Sequence, residues 1–289
     1  MEDPRTASGL AATPRIHRTT SPSGKDGLLA RGRYSAFGVS WEMRADDVSA
    51  YHLLLDRLPS VSTPTSGRAM ARTYVFRTLP SKVPDGDVSF MLAADEHPLV
   101  RSSEPEVVAD AFEDDLKFLL AERSPRKVFL RAGVVGWRDR AIVIPGGPHS
   151  GKSTLVRALV GCGATYYSDE YAVIEGNTVL PFPARSANWT SPGTVLSYWM
   201  DELGKNSGPK ALPIGLMLFA PYQAGAVFKP KLLPRGQSLL RMFKHAVASQ
   251  RNPERVLRAL EVVSKRCNGL EGVRGDAHTA ASYLIDRLV

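Results

Sequence analysis

The sequence predicts an α/β fold around a phosphate-binding loop, with a small α+β domain before it and a helical tail after it. A short apolar run, Ala141–Ile144, leads directly into a glycine-rich segment and then into an apolar helix. Upstream, stretches that alternate apolar and polar residues are mixed with stretches of helical spacing. Downstream of Ser238, apolar residues recur mainly at the helical period.

The composition is that of an ordinary globular protein, with 43% hydrophobic and 23% charged residues in 289. The longest apolar run, Leu212–Pro221, is too short to cross a bilayer, so we expect no membrane partner. The N-terminus has no apolar signal segment, and Cys162 and Cys267 have no metal-ligand spacing. These features indicate free thiols in a reducing cytoplasm and no zinc site.

The net charge of +8 is unevenly distributed along the chain. Residues 226–289 contain twelve Lys and Arg but five Asp and Glu. This basic region could attract an acidic peptide or a phosphate-rich partner, and the alternative is an ordinary solvated helical face. The argument for nucleic acid rests on this region alone, so we do not expect nucleic acid as a partner.

The N-terminal part of the chain divides into two segments. Residues 1–33 are rich in Ser, Thr, Gly, Pro and Arg without a period, which predicts a flexible basic tail. Residues 34–125 form the predicted α+β domain. Its predicted strands are Ser35–Met43, Arg72–Leu79 and Asp87–Leu92, and its predicted helices are Val48–Leu58 and Pro105–Glu122.

Residues 126–289 form the predicted P-loop domain with its C-terminal helices. The predicted strands are Val128–Leu130, Gly133–Trp137, Ala141–Ile144, Thr165–Tyr167, Tyr171–Glu175, Thr178–Leu180, Ile214–Ala220 and Ala226–Phe228. Gly176-Asn177 is a hairpin turn between two of these strands. The predicted helices are Ser153–Val160, Ser238–Gln250, a helix beginning at Asn252-Pro253, and Ala277–Leu288.

The glycine-rich segment fits the pattern G-x-x-x-x-G-K-[ST] at every fixed position. Its residues are Gly146, Gly147, Pro148, His149, Ser150, Gly151, Lys152 and Ser153, with Thr154 directly after them. Backbone N–H groups of such a loop and the start of the next helix cradle phosphates. Lys152 would meet the β- and γ-phosphates, and the Ser153 hydroxyl would ligate magnesium. The segment therefore predicts a site for a nucleoside triphosphate, most simply ATP with Mg²⁺.

A pair of acids follows at the end of the next predicted strand. Asp169 stands seventeen residues after Lys152, and Glu170 is its neighbour. In a doubly wound sheet this position lies at the carboxyl ends of the strands, beside the phosphates. Asp169 is the candidate base for an acceptor hydroxyl, and Glu170 is a candidate magnesium ligand. The alternative is that both are ordinary loop acids.

Weaker candidates lie further along the chain. Arg185, Lys229 and Lys231 could stabilise charge on a transferring phosphoryl group, although each is more often a surface charge. Trp189 and Trp199 could line an acceptor groove, although packing in a core is the ordinary role of a tryptophan.

Residues Leu130–Pro183 resemble the catalytic domain of bacterial HPr kinase/phosphorylases. The resemblance is carried by LRAGVVGW, then IPGGPHSGKSTL, then GATYYSDEYAVIEGNTVLPFPA. It implies a P-loop kinase core of the HPr-kinase/PEP-carboxykinase-like type that uses ATP and Mg²⁺. It also implies that Asp169 is the catalytic aspartate, with Glu170 where that family has a second aspartate.

The chain departs from that family at several positions. Arg131 stands where relatives often have a histidine, and the downstream glycine-rich signature is not recognisable. The chain is more similar to short, divergent members such as the kinases that phosphorylate a serine of a lasso-peptide precursor. The resemblance therefore implies a protein or peptide substrate with an acceptor serine. Relatives are often oligomeric, so a homo-oligomer stays open.

Three functions are consistent with these residues. The first is a serine kinase acting on a protein or peptide through Asp169. The second is a kinase acting on the hydroxyl of a small molecule, since the same core serves either acceptor. The third is a non-catalytic ATP-binding sensor, which Arg131 and the missing signature favour.

Overall fold

The structure, a computed structural model, describes residues 17–18, 27–80, 88–182 and 210–287. The chain divides into two compact units, Met1–Glu113 and Asp114–Val289. Most of the predicted basic tail lies outside the described residues, and the first long strand begins at Ala30. The predicted domain limits at residues 33/34 and 125/126 stay predictions.

The first unit is a sheet with helices. Its elements are β1 (His17–Arg18), β2 (Ala30–Ala36), β3 (Val39–Ala45), α1 (Val48–Asp56), β4 (Thr63–Pro64), β5 (Arg72–Leu79), β6 (Ser89–Ala94), β7 (His97–Ser102) and the first part of α2 (Pro105–Arg123). The strand order is β1-β2-β3-β5-β6-β7, with β4 on β2. Parallel β3 and β5 are joined through α1, and the other pairs are antiparallel.

Large buried side chains fill this unit. Trp41 and Tyr74 are fully buried, and the Tyr74 ring meets Phe112 edge to face with 4.9 Å between centroids. The predicted strand Ser35–Met43 is wrong as a single strand. Phe37 (φ 51°) and Gly38 (φ 80°) form a tight turn that divides it into the hairpin of β2 and β3. The predicted strand Arg72–Leu79 is confirmed as β5.

The second unit contains the predicted loop. Its elements are β8 (Val128–Trp137), β9 (Arg140–Pro145), α3 (Lys152–Gly161), β10 (Thr165–Ser168), β11 (Tyr171–Glu175), β12 (Thr178–Leu180), β13 (Leu212–Phe219), β14 (Lys231–Leu233), α4 (Arg235–His245), a 3-10 turn (Val247–Ser249), α5 (Pro253–Arg266), β15 (Asn268–Glu271) and α6 (Ala277–Arg287).

The sheet of this unit is mixed rather than doubly wound. The order is β10-β8-β11-β12-β13-β15-β14, and β9 lies between β8 and β13. Strand β13 is parallel to both β9 and β15, whereas β8 is antiparallel to β9, β10 and β11. The long strand β8 therefore has β9 along one edge and β10 followed by β11 along the other.

The two faces of this sheet have separate cores. One face packs under α3 and α6, with Leu155, Val156 and Ala280 among its buried residues. The other face packs under α4 and α5, where Met242 and Leu260 are fully buried. Alternate residues of a strand point to opposite faces, and β8, β9, β10 and β13 supply buried residues to both cores.

Most of the elements predicted for this part of the chain are confirmed, but β14 and β15 were not predicted. The two strands predicted at Val128–Leu130 and Gly133–Trp137 are one continuous strand, β8. The helix predicted at Ser238–Gln250 ends at His245, and a separate 3-10 turn follows it.

The Asn252-Pro253 start is confirmed, because the Asn252 side chain accepts the N–H of Arg255 and Pro253 is the first helical residue. The strand predicted at Ala226–Phe228 is wrong, because these residues form a loop in which Val227 is 72% exposed. Strand β15 was not predicted, since Asn-Gly-Leu-Glu has neither alternation nor β-branched residues.

The contact between α3 and β8 depends on Gly133. A Cβ atom at Gly133 would lie 2.5 Å from Cγ2 of Val156, so we expect Gly133→Val to separate α3 from β8. The loss in unfolding free energy should be about 1–3 kcal/mol, as for other overpacked cores. Gly161→Ala is the matched control, because nothing lies within 4 Å of its added Cβ. Urea unfolding measures both, and equal stability of the two variants would contradict the packing argument.

Candidate nucleotide-binding site

The predicted loop connects β9 to α3 and begins beside β8. The N–H of Gly146 donates to the carbonyl of Arg131 at 3.1 Å, which extends the β8–β9 pairing by one step into the loop. A Cβ atom at Gly146 would lie 2.5 Å from Oγ of Ser150 and 3.3 Å from side-chain carbons of Lys152. The first glycine is therefore required because the loop folds back over it.

The loop is closed by hydrogen bonds to one carbonyl. The Gly147 oxygen accepts from Oγ of Ser150 at 2.9 Å and from Nζ of Lys152 at 2.6 Å. Burial lowers the pKa of Lys152, the charge of Asp169 raises it, and the charge of Arg131 lowers it again. A half-buried ammonium in the mouth of the loop is the group that would meet a phosphate chain.

Helix α3 begins without a capping side chain among the described residues. Its N-cap is Gly151, which has the left-handed backbone conformation at φ 82°. The first-turn N–H groups therefore face the loop with no side-chain acceptor, as an anion cradle requires. Ser153 is half-buried in this turn and Thr154 is exposed. His149 also has a left-handed backbone (φ 57°) and is exposed at the tip of the loop.

Arg274 fixes the end of the loop. Its Nη2 donates to the carbonyl of Gly151 at 2.5 Å, and its Nη1 donates to the carbonyl of Gly275 at 3.2 Å. The residue is 1% exposed, and its guanidinium lies 5.8 Å from the centre of the Tyr222 ring. A Cβ at Gly151 would lie 2.4 Å from Nη2, so both the backbone angle and the arginine require glycine there.

The acidic pair lies on the opposite edge of β8. Ser168 pairs with Val134 and Tyr171 pairs with Arg131, so Asp169 and Glu170 lie beside the segment between Arg131 and Val134. On the other edge of that segment β9 ends and the loop begins. Two strand spacings, about 10 Å, therefore separate the backbone of the acidic pair from the start of the loop.

At Asp169 and Glu170 the backbone departs from the β-ladder, and hydrogen bonds to the Ser168 side chain fix this bend. The Ser168 hydroxyl, which belongs to a residue only 1% exposed, accepts from the N–H groups of Glu170 at 3.2 Å and of Tyr171 at 3.1 Å. The ladder resumes where the N–H of Ala132 donates to the carbonyl of Glu170 at 3.1 Å. The predicted end of a strand is therefore a two-residue interruption in a run that continues as β11.

The two carboxylates have different partners. Oδ1 of Asp169 accepts from the hydroxyl of Tyr166 at 3.0 Å, and Tyr166 is 1% exposed. Oε2 of Glu170 forms an ion pair at 3.0 Å with Nζ of Lys117, whose side chain is 7% exposed. Burial raises the pKa of Glu170, and Lys117 opposes that rise. Asp169 is thus oriented by a neutral donor and Glu170 by a cation.

One further cation, Arg131, and one histidine, His245, interact electrostatically with Lys152. Arg131 is an exposed residue of β8, and its carbonyl accepts the N–H of Gly146, the first residue of the loop. His245, the last residue of α4, has its pKa lowered by burial and then by the charges of Lys152 and Lys244. The positive charges of Lys152 and Arg131 suit a ligand with several negative charges.

The structure describes only two of the five weaker sequence candidates. Lys229 and Lys231 are exposed, and Arg185, Trp189 and Trp199 lie outside the described residues. Sequence reasoning missed Arg274, Tyr166 and Lys117 as site residues. Arg274 is one of many basic residues near the C-terminus, and nothing in the sequence distinguishes a buried arginine there from an exposed one.

No group of three or more His, Cys, Asp or Glu among the described residues is arranged to hold a metal ion. Within the same residues, no helix has both the length and the apolar character needed to cross a bilayer.

No family model matches the chain, and no curated protein matches it. Among solved structures, the chain is similar to the HPr(Ser) kinase/phosphatase from Coxiella burnetii, at 10% sequence identity and a TM-score of 0.28. The likeness covers 55% of this chain and 93% of that chain. At this identity and TM-score, it decides neither the fold nor the function of this chain.

We expect Arg274→Met to destabilise this unit by roughly 1–3 kcal/mol, because the carbonyl of buried Gly275 loses its guanidinium donor and that of Gly151 keeps only the N–H of Leu155. Arg258→Met is the matched control, since the Arg258 side chain is 81% exposed and pairs with exposed Glu254. Its effect should stay within about 0.5 kcal/mol. Urea unfolding measures both variants. An Arg274 variant as stable as the control would show that the guanidinium does not secure the loop.

Proposed function

We propose that this chain is a kinase that transfers the γ-phosphoryl group of ATP to a serine hydroxyl of a protein or peptide. The observation that carries the proposal is the placement of Asp169 across β8 from Lys152, near enough for its charge to oppose the lowering of the lysine pKa by burial. A phosphate-binding loop beside a positioned carboxylate is the minimum arrangement for phosphoryl transfer to a hydroxyl.

Each residue then has a chemical role. Asp169 accepts the proton of the serine hydroxyl, and the serine oxygen forms a bond to the γ-phosphorus. The bond from that phosphorus to the β–γ bridging oxygen breaks, and ADP leaves. Lys152 stabilises the charge that develops on the transferring oxygens. Tyr166 holds the Asp169 carboxylate through its hydrogen bond and keeps one oxygen directed.

The residues present fit ATP and Mg²⁺. The first turn of α3 has no capping side chain among the described residues, as a phosphate site at a helix N-terminus requires. Protein sites for Mg²⁺ commonly use one or two carboxylates together with the substrate phosphates, so three clustered acids are not required. Ser153 and Glu170 would hold the ion, which would neutralise phosphate charge. Mg²⁺ would compete with Lys117 for Glu170.

A non-catalytic ATP-binding sensor is the second candidate. It is favoured by the ion pair of Glu170 with Lys117, which already engages one carboxylate oxygen of the acidic pair. A sensor binds ATP but forms neither ADP nor a labelled acceptor. A small-molecule kinase shares the proposed chemistry and differs in its acceptor, so labelling of a metabolite but not of a serine peptide would identify it.

The Asp169→Asn variant tests the proposed base. With radiolabelled ATP and an array of serine-containing peptides, we expect transfer to fall at least about 100-fold, since general base catalysis is worth 10²–10⁴-fold. Affinity for ATP should change far less than transfer, because the loop and Lys152, rather than Asp169, are assigned to the phosphates. The matched control is Asp139→Asn, in the exposed turn between β8 and β9, where φ is 59° and asparagine is tolerated.

Undiminished labelling in the Asp169 variant would show that the base is assigned wrongly. Binding of ATP without labelling of any acceptor by the unmodified protein would instead support the sensor.

The Tyr166→Phe variant tests how Asp169 is positioned. Loss of the hydroxyl that donates to Oδ1 leaves the carboxylate free to rotate, so we expect kcat to fall about three- to tenfold, the equivalent of one hydrogen bond. The KM for ATP should not change. Tyr167→Phe is the control on the same strand, because that hydroxyl donates to the carbonyl of Lys210. Equal effects of the two variants on kcat would contradict a positioning role.

A further inference from the structure

A cavity of about 300 Å³ lies in the second unit, and of its lining residues only Gly275 was described with the candidate site. It is bounded by the loop before β14, at Ala226, Val227 and Phe228, and by the start of α6, at Asp276, Thr279 and Tyr283. Its volume is at the lower end of the range for small-molecule sites, which suits one ring system rather than a whole nucleotide.

The walls of the cavity are mainly apolar and aromatic. The rings of Phe228 and Tyr283 meet edge to face, with 5.5 Å between centroids and an interplanar angle of 82°. Gly275 allows the two sides to approach closely, because a Cβ there would lie 2.4 Å from the carbonyl oxygen of Ala226. An apolar slot with an aromatic wall is suited to a flat heterocycle.

Asp276 is the one charged residue among those that line the cavity. Oδ1 of Asp276 accepts from the N–H of Thr279 at 2.7 Å and from its hydroxyl at 2.9 Å. These hydrogen bonds lower the pKa of Asp276, so the group is an ionised carboxylate near neutral pH. A carboxylate accepts hydrogen bonds and donates none, which selects a ring that carries N–H donors.

The cavity is tied to the candidate loop by a continuous set of hydrogen bonds. The N–H of Tyr222 donates to the carbonyl of Ser150 at 3.2 Å, and that of Gln223 donates to the carbonyl of Arg274 at 2.8 Å. The N–H of Ala226 then donates to the carbonyl of Gln223 at 3.1 Å. With the bond from Arg274 to Gly151, both walls of the cavity are held to the loop itself.

The strand directions explain this proximity. Strands β9, β13 and β15 are parallel, so their carboxyl ends lie along one edge of the sheet. The loop follows β9, the segment with Tyr222 follows β13, and Arg274 follows β15. Such an edge is where ligands of α/β sheets bind.

We propose that this cavity receives the purine base of the nucleotide whose phosphates occupy the loop, with Asp276 accepting from the base. The inference rests on the proposed function, because it requires phosphates in the loop at Gly146–Ser153. A purine fills the slot between the loop before β14 and α6, and its amino group reaches the rim where Asp276 stands. Adenine and guanine both offer such donors, so the base is defined as a purine.

The test separates base recognition from phosphate recognition. Val227 lines the cavity, so Val227→Trp places an indole at the cavity wall. Because Val227 is 72% exposed, the larger side chain does not strain the fold. Its matched control is Val262→Trp, at a position 39% exposed on α5. Calorimetry measures the Kd of each full-length variant for ATP, GTP and inorganic tripolyphosphate. Thermal unfolding confirms that both variants fold.

For Val227→Trp we expect the Kd for the preferred purine triphosphate to rise about tenfold or more, while the Kd for tripolyphosphate stays within about twofold. Val262→Trp should leave both values unchanged. An equal loss for both ligands, or no loss for either, in the Val227 variant would overturn the base site. Failure of the unmodified protein to bind tripolyphosphate or any purine triphosphate would overturn the proposed function as well, which is a distinguishable result.

Discussion

The pairing of β8 along both of its edges is the constraint on which the candidate site depends. One edge holds β9 and, one step further, the first residue of the loop through the bond from Gly146 to Arg131. The other edge holds β10 and β11, with the acidic pair between them. Gly133 lies in the shared segment and allows α3 to rest directly on the strand. A single strand therefore sets the spacing between the group that would meet phosphate and the group that would meet the acceptor.

The electrostatics of the site follow from this spacing. Lys152 is half-buried, and its ammonium is stabilised by Asp169 across β8 and destabilised by Arg131 on the strand itself. Glu170 is neutralised by Lys117, so the acidic pair does not present two uncompensated charges to a polyanion. The remaining excess charge is positive, which favours a phosphate-rich ligand over an acidic protein surface of low charge density.

The sequence was sufficient to predict the elements with a strong local pattern. The Gly146–Thr154 motif lies between β9 and α3, and β5, the hairpin at Gly176-Asn177 and the Pro253 start are as predicted. The features that the sequence did not predict are those that depend on tertiary contacts. The sequence gives no indication that Arg274 is buried, that Ser168 interrupts a ladder that then resumes, or that the sheet is mixed. The Phe37-Gly38 turn was missed because alternation continues across it in register.

The bond from Lys152 to the Gly147 carbonyl has a consequence for ligand choice. The ammonium of Lys152 already has a hydrogen-bond acceptor inside the loop. An anion that binds Lys152 replaces this hydrogen bond, so the net gain in binding free energy is only the difference between the two interactions. For a ligand with a single phosphate this net gain in binding free energy is small. A chain of phosphates also reaches the first turn of α3, where it forms several further hydrogen bonds. We therefore expect the loop to discriminate in favour of polyphosphates and against small anions such as inorganic phosphate.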